Sequence, residues 1–386
     1  MRVLLCLPPA RISNEVDLFR AMPATDLVVV ADHEVAEAGH ALVLPARRLP
    51  LVGGREGWTA APAWLRGLPA LDPGPVDVVA SLELLSFGSR QAATLAARLG
   101  VPHAVTIFET LAANPLYRLP PWRGNTRRTA RSADLFVCFT RRAADHAVAL
   151  GCPQGRCVVL HPGVDTERFR PAAGGRSGQP NVLFVGMLRA DRGADKGVAD
   201  IVEAGGRLAS VVEGLRLRLV GEGPLGPELA ARAATEPFLE VLGRRPRQEL
   251  PTLLRQARVL VLASRRTAKW EEQFGFVLVE AMASGLPVVA TRSGAIPEVV
   301  PAWNPLVAEG DVDGLAEGVR AALGPAGDEW GRRNRAHVLD RFDLRHQGRA
   351  LAEALGGLRG TRPGGGRGEA SPLPPATWRR PPATGP

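Results

Sequence analysis

At 386 residues the chain is long enough for two domains, and its 45% apolar and 23% charged content excludes a disordered polymer. No apolar run reaches the roughly 18 residues that a membrane-spanning helix needs. The net charge of +9 comes from 46 Arg against two Lys, Lys196 and Lys269, a compositional lean toward Arg that does not by itself point to nucleic acid.

The chain opens on a short apolar run that predicts a buried strand, not a secretory leader. Val3–Leu7, Leu27–Ala31, Val76–Ser81, Ala104–Phe108 and Leu135–Phe139 read as strands, with helical stretches at Arg90–Leu99 and Ala143–Leu150. Runs without alternation, separated by helices, predict a parallel sheet covered on both faces. A Pro/Gly-rich stretch, Pro171–Pro180, breaks the rhythm. The pattern then restarts with strands at Val182–Val185, Leu215–Val220, Val259–Leu262 and Val288–Ala290, and weaker ones at Val241–Leu242 and Leu306–Val307. Helices are expected at Val198–Val212, Gln248–Arg255 and Phe276–Ser284.

These two series predict an α/β fold of two doubly wound domains facing a cleft. The expected division is 1–165, a linker over 166–180, a second domain over 181–359, and a Pro/Gly-rich tail over 360–386 that cannot bury enough apolar surface to order. Of the four cysteines only Cys152 and Cys157 lie close in sequence, and their spacing fits neither a zinc site nor a redox pair. A reduced, cytoplasmic chain is expected.

The most informative stretch is Glu271–Thr291, EEQFGFVLVEAMASGLPVVAT. Glu272 and Glu280 stand eight residues apart, with Phe274-Gly275 where loop turns into helix. A helix starting near Phe276 aims free N–H groups and a positive dipole end at a ligand. Glu280 then sits in its second turn and Glu272 in the loop before it, while Gly275 lets backbone approach closely.

Residues Glu272–Val300, followed by Asn304–Leu323 and preceded by His161–Pro171 (HPGVDTERFRP), resemble the donor-binding half of retaining family-4 glycosyltransferases of the GT-B fold. The likeness runs over about 158–350. It implies that Glu280 binds the ribose of a nucleotide sugar and that Glu272 binds hydroxyls of the transferred sugar, a hexose. It implies that a Lys and an Arg after the second domain's first strand neutralise the diphosphate. In Gly186–Gly197, GMLRADRGADKG, Lys196-Gly197 matches the Lys-Gly pair. The usual Arg position holds Met187, so Arg189 or Arg192 supplies the second charge, with Arg192 favoured as nearer to Lys196. The expected catalytic set is therefore Lys196, Arg192 and Glu272, and the expected donor-binding set is Gly186, Arg189, Phe274, Gly275 and Glu280. With these cations on the leaving group, no metal or other cofactor is required.

The first half departs from the family. Pro8-Pro9-Ala10-Arg11 replaces a Gly-rich loop, and the strand that usually ends in His ends here at Phe108-Glu109, which makes Glu109 a candidate substrate contact. GEGPLG (Gly221–Gly226) fits a strand-to-helix turn better than a dinucleotide fingerprint. Asp311-Val312-Asp313 fits a helix cap better than a metal site. Tyr117–Arg131 carries five Arg beside Tyr117 and Trp122, a surface suited to peripheral contact with anionic membrane. The expected partners are a nucleotide-sugar donor and an acceptor the sequence does not name, with no nucleic acid. A sugar-nucleotide epimerase and a nonenzymatic sugar-nucleotide-binding protein stand as alternatives.

Overall fold

The computed structural model describes residues 1–8, 15–32, 40–48, 63–111, 114–174, 178–189 and 195–360. Arg192, Pro9-Ala10-Arg11 and nearly all of the expected tail lie outside these residues. The chain forms two compact units. One takes Met1–Phe108, Leu116–Leu160 and the chain from Gly348 onward, and the other takes Glu109–Pro115 and His161–Gln347.

In the first unit the elements run β1 (Arg2–Cys6), α1 (Glu15–Arg20), β2 (Asp26–Ala31), β3 (His40–Val43), β4 (Ala46–Arg48), β5 (Ala63–Leu65) and β6 (Val78–Leu82). They continue through α2 (Phe87–Leu99), β7 (His103–Ile107), α3 (Trp122–Ser132), β8 (Leu135–Cys138), α4 (Arg141–Ala149) and β9 (Cys157–Val159). Seven strands form a parallel sheet in the order β3-β2-β1-β6-β7-β8-β9. Residues alternate across its faces. Val3, Leu5 and Leu7 pack with Leu18 and Phe19 of α1, whereas Leu4 and Cys6 pack with Ala92 and Leu95 of α2. That two-sided burial makes the strands continuous apolar runs. β3, β4, β5 and β9 were not expected: each has only three or four residues, and β4 is two-thirds Arg.

The second unit continues with β10 (Asn181–Val185), α5 (Val198–Ala209), β11 (Arg216–Val220), α6 (Gly226–Ala233), β12 (Leu239–Gly243), α7 (Leu250–Gln256) and β13 (Val259–Leu262). Then come α8 (Phe276–Ala283), β14 (Val288–Thr291), α9 (Ile296–Val299), β15 (Leu306–Val307), α10 (Val312–Leu323), α11 (Pro325–Arg341) and α12 (Leu344–Gly356). Its six strands are parallel in the order β12-β11-β10-β13-β14-β15. The weaker pair of expected strands are both present, as β12 and β15. α5 buries Val198, Ile201, Val202, Gly205 and Leu208, the stripe of an amphipathic helix against a sheet.

α12 departs from the expected division. Leu351 and Leu355 are fully buried in the first unit's core, so the described residues 348–360 belong there and not with the rest of 181–359. Both sheets have the doubly wound order, which reverses direction between β1 and β6 in one and between β10 and β13 in the other. Ligands of such sheets bind at the carboxyl ends of the strands beside that reversal.

Candidate functional site

Lys196 and Glu272 of the expected residues meet at the second unit's reversal point, while Arg192 lies outside the described residues. After β10 the chain reaches Lys196 and Gly197, and after β13 it reaches Ser264 and the loop to Glu272. Lys196 Nζ lies 2.6 Å from Glu272 Oε2, and Ser264 Oγ donates to the same oxygen at 2.8 Å. Glu272 is only 6% exposed. A carboxylate so buried would carry a large desolvation cost alone, and the ammonium and hydroxyl offset it.

Local backbone explains why these groups meet. Gly197 is left-handed (φ 65°), and its N–H donates to Asp195 Oδ1 at 2.8 Å. Behind Glu272, Gly294 (φ 52°) brings the next loop so close that Ala295 N–H donates to the Glu272 carbonyl at 2.8 Å. Arg265 Nε donates to Asp200 Oδ2 at 2.7 Å, which ties the loop after β13 to α5 and holds the Arg265 guanidinium above its ordinary pKa through that hydrogen bond.

Gly275 caps α8 in the left-handed region (φ 79°), and a Cβ there would sit 2.8 Å from Leu278 Cδ1. The helix is apolar all round, so it is buried, and Glu280 within it is 4% exposed. Arg247, which follows β12, places Nη2 3.4 Å from Glu280 Oε1. The Phe274 side chain is committed to the core, 2% exposed, with its ring 5.1 Å from Phe276 and 6.0 Å from Phe342. Only its backbone is left for a ligand. His161 joins the same cluster, 4.8 Å from Phe342, and acts as packing.

Gly186 directly follows β10 and passes the Lys196 stem, with Cγ of Lys196 3.6 Å from where a Cβ would stand. Arg189 is half-buried, its N–H donating to the Met187 carbonyl at 3.0 Å. The GEGPLG turn packs on this segment. A Cβ on Gly221 would lie 1.8 Å from the Gly186 carbonyl oxygen and one on Gly223 2.3 Å from that of Leu188. These glycines serve backbone contact between two strand-to-helix turns. Asp311 caps α10, accepting from Gly314 N–H at 2.8 Å, and Asp313 pairs with Arg207. Among the described residues no group of three or more His, Cys, Asp or Glu is arranged to hold a metal.

In the first unit, Glu83 follows β6 at the reversal point. It is buried, left-handed (φ 67°), and accepts from Phe108 N–H at 3.0 Å. Glu109, which the second unit takes, accepts at Oε1 from the N–H groups of Thr110 and Leu111 at 2.9 and 2.8 Å. On α3, Arg123, Arg127, Arg128 and Arg131 are exposed opposite the buried Trp122, Asn125, Thr126 and Thr129, with Arg118 and half-exposed Leu119 just before them. No helix among the described residues is long and apolar enough to cross a membrane.

Sequence reasoning missed Ser264, Trp270, Arg247, Asp200 and Glu83. Trp270 is two residues from Glu272, and its ring centroid lies 4.7 Å from Lys196 Nζ, so proximity to the glutamate was the available signal.

Residues 16–168 match the family described as Glycosyltransferase Family 4, and residues 179–324 match that described as Glycosyl transferases group 1. The GDP-mannose-dependent alpha-(1-6)-phosphatidylinositol monomannoside mannosyltransferase of Mycolicibacterium smegmatis is 32% identical over 269 residues, 63% of this chain and 68% of that one. D-inositol 3-phosphate glycosyltransferase 1 of Catenulispora acidiphila is 32% identical over 281 residues, 65% of each chain. The structure of Anabaena HepE in complex with UDP superposes with a TM-score of 0.72 at 19% identity, covering 93% of this chain and all of that one, a likeness of fold.

Proposed function

This chain belongs to the group 1, family 4 glycosyltransferases, and we propose that it moves a hexose from a nucleoside-diphosphate donor to an acceptor hydroxyl, with retention of configuration and without a metal. The observation that carries this reading is the Lys196–Glu272 contact of 2.6 Å at the carboxyl ends of β10 and β13. Cleavage of the sugar–phosphate bond leaves its electron pair on the diphosphate. A cation fixed beside that group stabilises charge as it develops. Glu272 accepts from hydroxyls of the transferred sugar, and Glu280 accepts from the ribose. Arg192 or Arg189 adds the second cation. UDP in the HepE structure and GDP-mannose in the mycobacterial relative's name support a nucleoside-diphosphate donor. The family relatives lend no support to an epimerase.

The exposed Arg face of α3 supports contact with an anionic surface, each Arg adding about 1 kcal/mol near such a membrane. Sedimentation with phosphatidylserine vesicles, lost on replacing Arg123, Arg127 and Arg131 by Gln, tests it.

Incubation with UDP-glucose and GDP-mannose, with nuclear magnetic resonance of the products, tests the main reading. Release of nucleoside diphosphate with an α-configured product from an α-configured donor is expected. An altered sugar still attached to its nucleotide would favour the epimerase, and binding without turnover the nonenzymatic reading.

A further inference from the structure

Lys196 is held from two sides. Glu272 Oε2 is one partner, and the face of Trp270, with its centroid 4.7 Å from Nζ, is the other. The loop presenting Trp270 is tied on both flanks. Thr267 N–H donates to the Trp270 carbonyl at 2.8 Å, and Lys269 N–H donates to Thr267 Oγ1 at 3.2 Å. Before them, Arg265 N–H donates to the Asp195 carbonyl at 2.9 Å and Arg266 N–H to Glu309 Oε2 at 2.9 Å. After it, the buried Glu271 carboxylate meets Arg266 Nε at 3.0 Å. So many anchors fix the ring's place, although Trp270 is itself only half-buried.

We infer that Trp270 is a positioning residue: its ring face holds the Lys196 ammonium beside Glu272, so the cation is in place when a diphosphate arrives. The inference rests on the reading of Lys196 as the diphosphate's charge partner. A free lysine has many rotamers, and ordering it on binding costs entropy. A ring face attracts the cation through its quadrupole without supplying a counter-charge. A second carboxylate there would hold the ammonium as well, but it would also neutralise it toward phosphate.

The chain's two lysines make the test direct. Full-length protein carrying 13C-lysine gives two sets of side-chain signals, separated by Lys269→Arg. The Lys196 methylene signals are expected upfield of those of Lys269 from the ring current, shifting back in Trp270→Leu and largely kept in Trp270→Phe. UDP or GDP should move the Lys196 signals. Turnover of UDP-glucose or GDP-mannose should fall roughly 3- to 30-fold in Trp270→Leu, in kcat more than KM, with Trp270→Phe recovering most of it. Lys196 signals identical in wild type and Trp270→Leu would overturn the proposal, as would unchanged turnover. Ring-shifted signals that ignore both UDP and GDP would instead overturn the diphosphate reading on which it rests.

Discussion

Gly197 presses on Ala263 so closely that a Cβ would stand 1.9 Å from the Ala263 carbonyl oxygen. This contact brings the Lys196-Gly197 turn against the end of β13, next to Ser264. Gly197→Ala must move backbone on one side or the other, and Ala in a left-handed conformation costs a further ~1–2 kcal/mol. A lower melting temperature together with weaker UDP or GDP binding is expected. Gly206→Ala, on an exposed helix position with only the Phe238 ring at 3.7 Å, should stabilise by about 0.5–1 kcal/mol. Equal melting temperatures for the two variants would show that the close approach is not structural.

Asp311 separates a cap from a metal ligand. Its carboxylate accepts from Gly314 N–H, and Asp313 turns to Arg207. Asp311→Asn preserves an N-cap acceptor and should leave turnover near wild type. Asp311→Ala should cost about 1 kcal/mol of stability, read by denaturant titration, with little effect on the chemistry. Turnover should survive EDTA. Strict dependence on Mn²⁺ or Mg²⁺, abolished by Asp311→Asn, would overturn this assignment.

Glu280 and Arg247 make opposite predictions for nucleotide binding. Glu280→Gln keeps the shape and removes the charge, so UDP or GDP affinity measured by calorimetry should weaken by about 1.5–3 kcal/mol. Arg247 is partly exposed and its contact with Glu280 is 3.4 Å long, so Arg247→Gln should change affinity by less than ~1 kcal/mol. An undiminished affinity in folded Glu280→Gln would remove Glu280 from the ribose site.

Two histidines, the buried His103 and the half-buried His337, set an acid limb. Burial lowers His103 from its ordinary 6.5 to about 3, and its Nε2 lies 2.9 Å from Ser81 Oγ. Burial first, and Arg341 second, lower His337 to about 4. Both are neutral in the folded chain and bind protons more readily once unfolded. Their share of stability is therefore whole above pH 6.5 and is lost as the pH falls toward 4, by up to about 1.4 kcal/mol per pH unit for each. Urea titrations at pH 7, 6 and 5 should show this slope, and His103→Leu with Ser81→Ala should reduce it by about half. An unchanged slope in that double variant would refute the assignment.

The sheets were legible because strands buried on both faces are continuous apolar runs, as in β1, β10 and β13. β9 and β3 were not, since edge strands of three and four residues carry too little pattern. The Glu272 and Glu280 spacing and the rarity of Lys picked out three residues near the second unit's reversal point. Which groups they touch was hidden because contact there depends on folding. Lys196 meets Glu272 across 76 residues, and Arg247 meets Glu280 across 33. Phe274 is a motif residue whose side chain the aromatic core takes up, so only its backbone is left beside Gly275. The return of α12 to the first unit had no local signal, because an amphipathic helix does not state which sheet it covers.

The Lys–Arg clamp is the step on which the proposed chemistry turns. Charge on the departing diphosphate grows as the sugar–phosphate bond breaks, so a fixed cation gains more in the transition state than in the bound donor. Lys196→Ala should therefore lower turnover on the order of 100-fold or more while weakening UDP binding far less. Glu272, left without its 2.6 Å partner, would keep only Ser264, so Lys196→Arg is the companion variant that retains a cation. The second charge is assigned by comparing Arg189→Ala with Arg192→Ala under single-turnover conditions. Loss with Arg192→Ala alone is expected, from its nearness in sequence to Lys196. Loss with Arg189→Ala alone would move the second charge to Arg189 and leave the clamp intact. Full turnover in Lys196→Ala would remove the clamp itself, whatever the arginines do.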